Sequence, residues 1–126
     1  MNSSGKTSYA VSLAALLTLI GALAVAAVPA SADHQQAAAS AVRGVTVGDS
    51  FFSPSSLSIA RNDTVRFRWN GTSRRHNVSV RTGPVKFNSQ TRRGSYNYTH
   101  KFTRRGTYSL YCTIHPNTMK ATVRVR

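Results

Sequence analysis

The chain has 126 residues, with 17 Lys and Arg against 3 acidic residues, a single cysteine and 40% hydrophobic residues. That length allows one ordinary domain, the lone cysteine forbids an internal disulfide, and the apolar content excludes a disordered basic tail. A formal charge of +14 points to acidic proteins, anionic membranes or polyanions as partners.

In chain order, the first feature is a leader. Lys6 and the amino terminus form a weak positive region, and an apolar run of about 19 residues follows from Ala10 to Val28. Pro29 ends the run, and Ala30-Ser31-Ala32 supplies the small residues of a signal-peptidase site. The reading is a signal peptide over residues 1–32 cleaved after Ala32, and hence an exported protein, periplasmic or secreted. The alternative is a retained anchor, since the run is just long enough to cross a bilayer. Residues 33–40 are polar and Ala-rich and read as a flexible tail, with His34 a minor candidate for stray metal. A mature chain of this size buries only roughly 60–65% of its unfolded surface. Small exported domains usually add disulfides; this one must rely on an efficient core or a bound metal.

From Ala41 to Arg126 the pattern is that of strands. Val45 and Val47 alternate with Thr46, and Leu57 and Ile59 with Ser58. Val65, Phe67 and Trp69 share one face while Arg66 and Arg68 share the other. His76, Val78 and Val80 form a further set, then Tyr96, Tyr98, His100 and Phe102, then Tyr108, Leu110 and Cys112, and finally Met119, Ala121, Val123 and Val125. Turns are expected at Gly48-Asp49, Ser53-Pro54, Asn62-Asp63, Asn70-Gly71, Gly83-Pro84, Arg105-Gly106 and His115-Pro116. Gly83–Gly94 is the longest stretch without a strand, and reads as a crossover loop. About seven short strands punctuated by turns predict an all-β Greek-key sandwich. The pairs Arg74-Arg75, Arg92-Arg93 and Arg104-Arg105 are expected in loops as solvated charge.

Chemistry concentrates near the C-terminus. Cys112, His115 and Met119 lie within eight residues, at the end of one expected strand and the start of the next. His76 sits on an earlier strand. A thiolate, two imidazoles and a thioether are a soft donor set that matches a trigonal copper site with a weak axial methionine. Cys112 alone would read as a small core residue, and Met119 is in phase with core positions; it is their grouping that argues for a site. His100 reads as structural, because no ligand partner lies near it.

These residues resemble the cupredoxins, the small blue copper proteins of the plastocyanin, pseudoazurin and amicyanin type. The resemblance runs over roughly Val45–Val125. It is carried by Phe52-Ser53-Pro54-Ser55-Ser56-Leu57, Asn62-Asp63-Thr64-Val65, Trp69 to His76-Asn77-Val78, and Gly106-Thr107-Tyr108 leading to Cys112-Thr113-Ile114-His115-Pro116. It implies one mononuclear copper per chain, held by His76, Cys112, His115 and Met119. It further implies that Asn77 braces the site and that the His115 ring edge is the electron exit. Three residues separate His115 from Met119, between the two of amicyanin-like loops and the four of plastocyanin-like ones.

The resulting expectation is a monomeric one-electron carrier rather than an enzyme. Arg74 and Arg75 beside His76 would steer an acidic redox partner. A copper-handling protein is the alternative, and a cationic module for anionic polymers the second. An anionic membrane or cell-wall surface can coexist with the redox role; nucleic acid is not expected as a partner, because the chain is exported.

Overall fold

The computed structural model describes residues 38–126; the expected signal segment, His34 and the first part of the tail lie outside the described residues. Eight strands run β1 (Val42–Gly48), β2 (Phe51–Ser53), β3 (Ser56–Ile59), β4 (Thr64–His76), β5 (Ser79–Thr82), β6 (Arg92–Lys101), β7 (Gly106–Tyr111) and β8 (Lys120–Val125). They form two four-stranded sheets, ordered β2-β1-β4-β6 and β3-β8-β7-β5. β1 pairs parallel with β4 and β3 with β8, so the first strands reach across to partners far along the chain. The remaining ladders are antiparallel.

The period-2 faces seen in the sequence account for the core. Val65, Phe67 and Trp69 of β4 point inward and are almost fully buried, with Arg66 and Arg68 exposed between them. Tyr108 and Leu110 of β7 and Ala121, Val123 and Val125 of β8 supply the opposing layer. The β4–β6 register sets Phe67 opposite Tyr98 and Trp69 opposite Tyr96. Their ring centroids lie 6.2 and 5.0 Å apart, within the range of favourable aromatic pairs. His100 continues this inward row and stacks on Phe87 of the β5–β6 loop at 3.7 Å between centroids; burial lowers its pKa.

Two polar contacts fasten one end of the sandwich. The Asp63 carboxylate accepts the backbone N–H groups of Ala41 at 2.8 Å and Ala60 at 3.0 Å, tying the start of β1 to the β3–β4 turn. The Tyr108 hydroxyl donates to the Arg104 carbonyl at 3.0 Å, closing the β6–β7 turn.

The strand boundaries depart from the sequence reading in three places. Asn70-Gly71 is not a turn between strands: β4 continues through it, with register shifts against β6 between Trp69 and Thr72 and again between Thr72 and His76. Gly71, at φ 64°, takes the left-handed conformation that this irregularity requires. His76 consequently ends β4 instead of opening a separate strand. Arg74-Arg75 and Arg92-Arg93 stand in β4 and β6, exposed on strands and not in loops, because the long β4–β6 ribbon extends past the rest of its sheet.

Candidate metal centre

His76, at the end of β4, is buried completely. Its Nε2 is 3.0 Å from Oδ1 of Asp49, in the turn that leaves β1. Asp49 is itself fixed, accepting the Ser73 N–H at 3.0 Å, the Ser73 hydroxyl at 2.7 Å and the Arg74 N–H at 3.1 Å. The contact with His76, then those with Ser73 and Arg74, hold its carboxyl far below the usual range. An ionised Asp49 accepts a proton-bearing Nε2, which leaves the lone pair of the neutral ring on Nδ1. That Nδ1 is buried and has no hydrogen-bond partner. Buried polar atoms rarely go unpaired, and this one belongs to a residue that the fold groups with two other side chains able to hold a metal.

Cys112 and His115 complete that cluster. Cys112, just past β7, is fully buried, and its Sγ is 3.8 Å from Nδ1 of His115. The His76 and His115 rings are 4.9 Å apart, and donor atoms of His76, Cys112 and His115 all lie within 4.8 Å of one another. His115 is only partly buried, so its ring forms the outer edge of the group.

The loop between β7 and β8 is closed by its own backbone. Met119 N–H donates to the His115 carbonyl at 3.0 Å, and Cys112 N–H to the Met119 carbonyl at 3.1 Å. This folds the eight-residue stretch back on itself and buries Met119 completely. Asn77 links the loop to the neighbouring strand: its Oδ1 accepts the Thr113 N–H at 2.8 Å, and its Nδ2 donates to the Thr113 hydroxyl at 2.8 Å and the Thr91 hydroxyl at 3.3 Å. The residues on either side of the cluster, Asn77 after His76 and Thr113 after Cys112, are thus joined directly.

Two residues of this region carried no signal in the sequence. Asp49 lies 27 positions before His76 and read only as part of a turn. Arg81 donates to the Pro116 carbonyl at 3.1 Å and lies over the Tyr111 ring at 4.5 Å, pinning the loop from β5. Parallel β1–β4 pairing decides the first contact and β5–β7 pairing the second, and neither is visible locally. Arg74 and Arg75 are exposed beside the cluster, and Arg92 pairs with His76 in the β4–β6 register. His100 lies apart, in the aromatic cluster of Phe87 and Phe102.

The donor set is soft: two imidazoles and a thiol close together, with a buried thioether in the same loop. On an antiparallel and parallel sandwich, such a set defines a copper protein with one metal centre. A sequence model of the copper binding proteins, plastocyanin/azurin family, matches residues 39–126. The chain belongs to that family, and it is a copper-binding β-sandwich protein of the cupredoxin kind. Among solved structures, a reduced Cu(I) form of amicyanin is 25% identical, with 68% of this chain and 82% of that one covered and a TM-score of 0.60. A purple cupredoxin from Nitrosopumilus maritimus, at 24% identity, covers 67% of this chain and 99% of its own, with a TM-score of 0.59; at that identity it speaks for the fold. A copper-containing nitrite reductase from Thermus scotoductus is 30% identical over 67% of this chain, with a TM-score of 0.59. The chain spans only 22% of that enzyme's length. No curated protein sequence matches significantly.

Proposed function

We propose that this protein is an exported one-electron carrier whose copper is held by His76, Cys112, His115 and Met119. The observation that carries the reading is the cluster itself: three donors within 4.8 Å of one another, with His76 Nδ1 buried and unpartnered among them. Bound copper would supply a Cu(I)/Cu(II) couple. The chain's part is to keep the donors fixed. Asp49 orients the His76 ring, Asn77 locks Thr113 and with it the Cys112 backbone, and the two loop hydrogen bonds hold His115 and Met119 in register. Donors that move little cost little rearrangement per electron.

His115 is the partly exposed donor, which favours its ring edge as the exit for the electron. Ile114 beside it is 47% exposed and offers an apolar contact to a partner. Arg74, Arg75, Arg92 and Arg93 surround this end with positive charge, which suits an acidic redox partner and an electrostatically steered encounter. The alternative of a copper carrier uses the same donors but needs metal exchange; the buried, cross-braced His76 and Cys112 favour retention.

Adding Cu(II) to the purified protein should give a strong visible thiolate-to-copper band. Cys112→Ser should abolish it. A colourless protein that holds Cu(II) only weakly would overturn the assignment, and rapid loss of Cu(I) to a chelator would favour copper handling.

A further inference from the structure

The end of the sandwich opposite the donor cluster is also basic. β4 begins there at Thr64 and ends at His76, so the two ends are about 35–40 Å apart at the usual rise per residue. Arg43 from the start of β1, Arg61 from the β3–β4 turn, Arg105 from the β6–β7 turn and Arg126 at the chain end line one shallow concavity of about 480 Å³. Backbone hydrogen bonds draw these four segments together: Arg61 N–H donates to the Arg126 carbonyl at 3.0 Å, Arg126 N–H to the Ile59 carbonyl at 2.9 Å, Asn62 N–H to the Phe102 carbonyl at 2.7 Å, and Thr64 N–H to the Ala41 carbonyl at 2.9 Å. The arginines are therefore set by the fold and not by chance neighbours in sequence.

Two negative groups offset these four arginines only in part, Asp63 acting on Arg43. Asp63 is the one acidic side chain in the concavity, and its carboxylate oxygens face the Ala41 and Ala60 N–H groups. Among the described residues the only ion pair is that of His76 with Asp49, at the far end. The main-chain carboxylate of Arg126 is the other negative group nearby.

We propose that this arginine-lined end is a docking surface for an anionic lipid bilayer, resting the domain on a membrane with its donor cluster facing away. Guanidinium groups match phosphate in shape and charge. Four of them at one end of the domain present a cluster of phosphate-binding groups to a layer of anionic headgroups. The chain enters the domain at this same end, where Ala38, Ala39 and Ala41 line the concavity. Docking here leaves the His115 edge free for a redox partner, so membrane residence and electron transfer do not compete for one surface.

The test is co-sedimentation of the chain from Asp33 to Arg126 with phosphatidylglycerol/phosphatidylcholine vesicles and with pure phosphatidylcholine vesicles. Every described core residue lies between Val45 and Val125, within the compact unit Gln36–Arg126. Binding should require phosphatidylglycerol and weaken as salt shortens the screening length. Replacing Arg43, Arg61, Arg105 and Arg126 by Gln should weaken partitioning at least about tenfold. The same replacement at Arg74, Arg75, Arg92 and Arg93 removes equal charge and should change it far less. If the fourfold variant folds poorly, Arg61→Gln with Arg105→Gln, both in exposed turns, should still reduce partitioning several-fold. Equal losses from the two sets, or greater loss from the copper-end set, would overturn the proposal by showing generic attraction. So would failure to bind phosphatidylglycerol vesicles when soluble polyphosphate binds. The visible copper band serves as a separate readout: it should survive the far-end substitutions, whereas a wrong copper assignment would show as no band even in the unaltered chain.

Discussion

Each end of the sandwich has one described aspartate held by hydrogen bonds from the fold, exposed Asp49 at one end and buried Asp63 at the other, and the two do different work. Asp49 holds a side chain, the His76 ring, together with the backbone of Ser73 and Arg74. Asp63 holds backbone only, joining Ala41 to Ala60. One carboxylate sets the orientation of a donor; the other fastens the start of the fold. Neither carboxylate forms an ion pair with an arginine side chain among the described residues, so the exposed arginines at each end remain available to acidic groups outside.

The sharpest way to break this comparison is to remove each carboxylate in turn. Asp49→Ala should weaken copper retention roughly 10- to 100-fold, as loss of a ligand's hydrogen-bond partner generally does. A chelator competition read through the visible band measures it, while the thermal midpoint should shift less than for the other aspartate. If copper retention is unchanged, Asp49 serves the strand end and not the ring. Asp63→Asn should do the reverse, lowering the thermal midpoint while the band of the copper-loaded protein keeps its position.

Acid sharpens the same contrast. The Ala41 and Ala60 N–H groups lower the Asp63 pKa from the ordinary 3.8. A depressed folded pKa contributes stability above the unfolded value, and that contribution is lost as pH falls through the folded one. Stability of the wild type should therefore decline below about pH 4 more steeply than that of Asp63→Asn, as thermal melts across that range would show.

Smaller effects separate the ends further. Tyr108→Phe removes the bond to the Arg104 carbonyl and should cost about 0.5–1.5 kcal/mol by denaturant unfolding, with no change in colour. Arg74→Gln with Arg75→Gln should slow reduction by an acidic partner several-fold at low salt and scarcely at high salt. A rate loss that ignores salt would place the docking contact elsewhere.

Much of the fold was legible because its signal is local. Alternation on β4, β7 and β8 marked the buried faces, and Val65, Phe67, Trp69, Tyr108, Leu110 and Val123 are all nearly fully buried. The candidate site was legible as well, since three of its residues share one short loop and metal-binding side chains are few; the structure brings His76, Cys112 and His115 together and buries Met119 in the same loop. The crossover loop was seen over Gly83–Gly94, and β6 enters it only at Arg92. What failed was the stretch from Asn70 to His76. A pair that usually makes a turn is here absorbed as an irregularity within a strand, because pairing with β6 continues on its far side.

The sequence by itself determined the class of fold, the inward faces and the residue types that can hold copper, because period-2 burial and donor chemistry are properties of neighbours along the chain. Tertiary structure decided how β4 delivers His76 to the inward side that its phase with Val78 and Val80 indicates. Inward positions on β4 step from Trp69 to Thr72 to His76, three residues and then four, so parity counted from Trp69 would turn His76 outward. Only the register shifts against β6 bring its ring inside, and only the parallel pairing of β1 with β4 brings Asp49 across 27 positions to meet it. Contacts of that separation depend on how strands align, which no local pattern encodes.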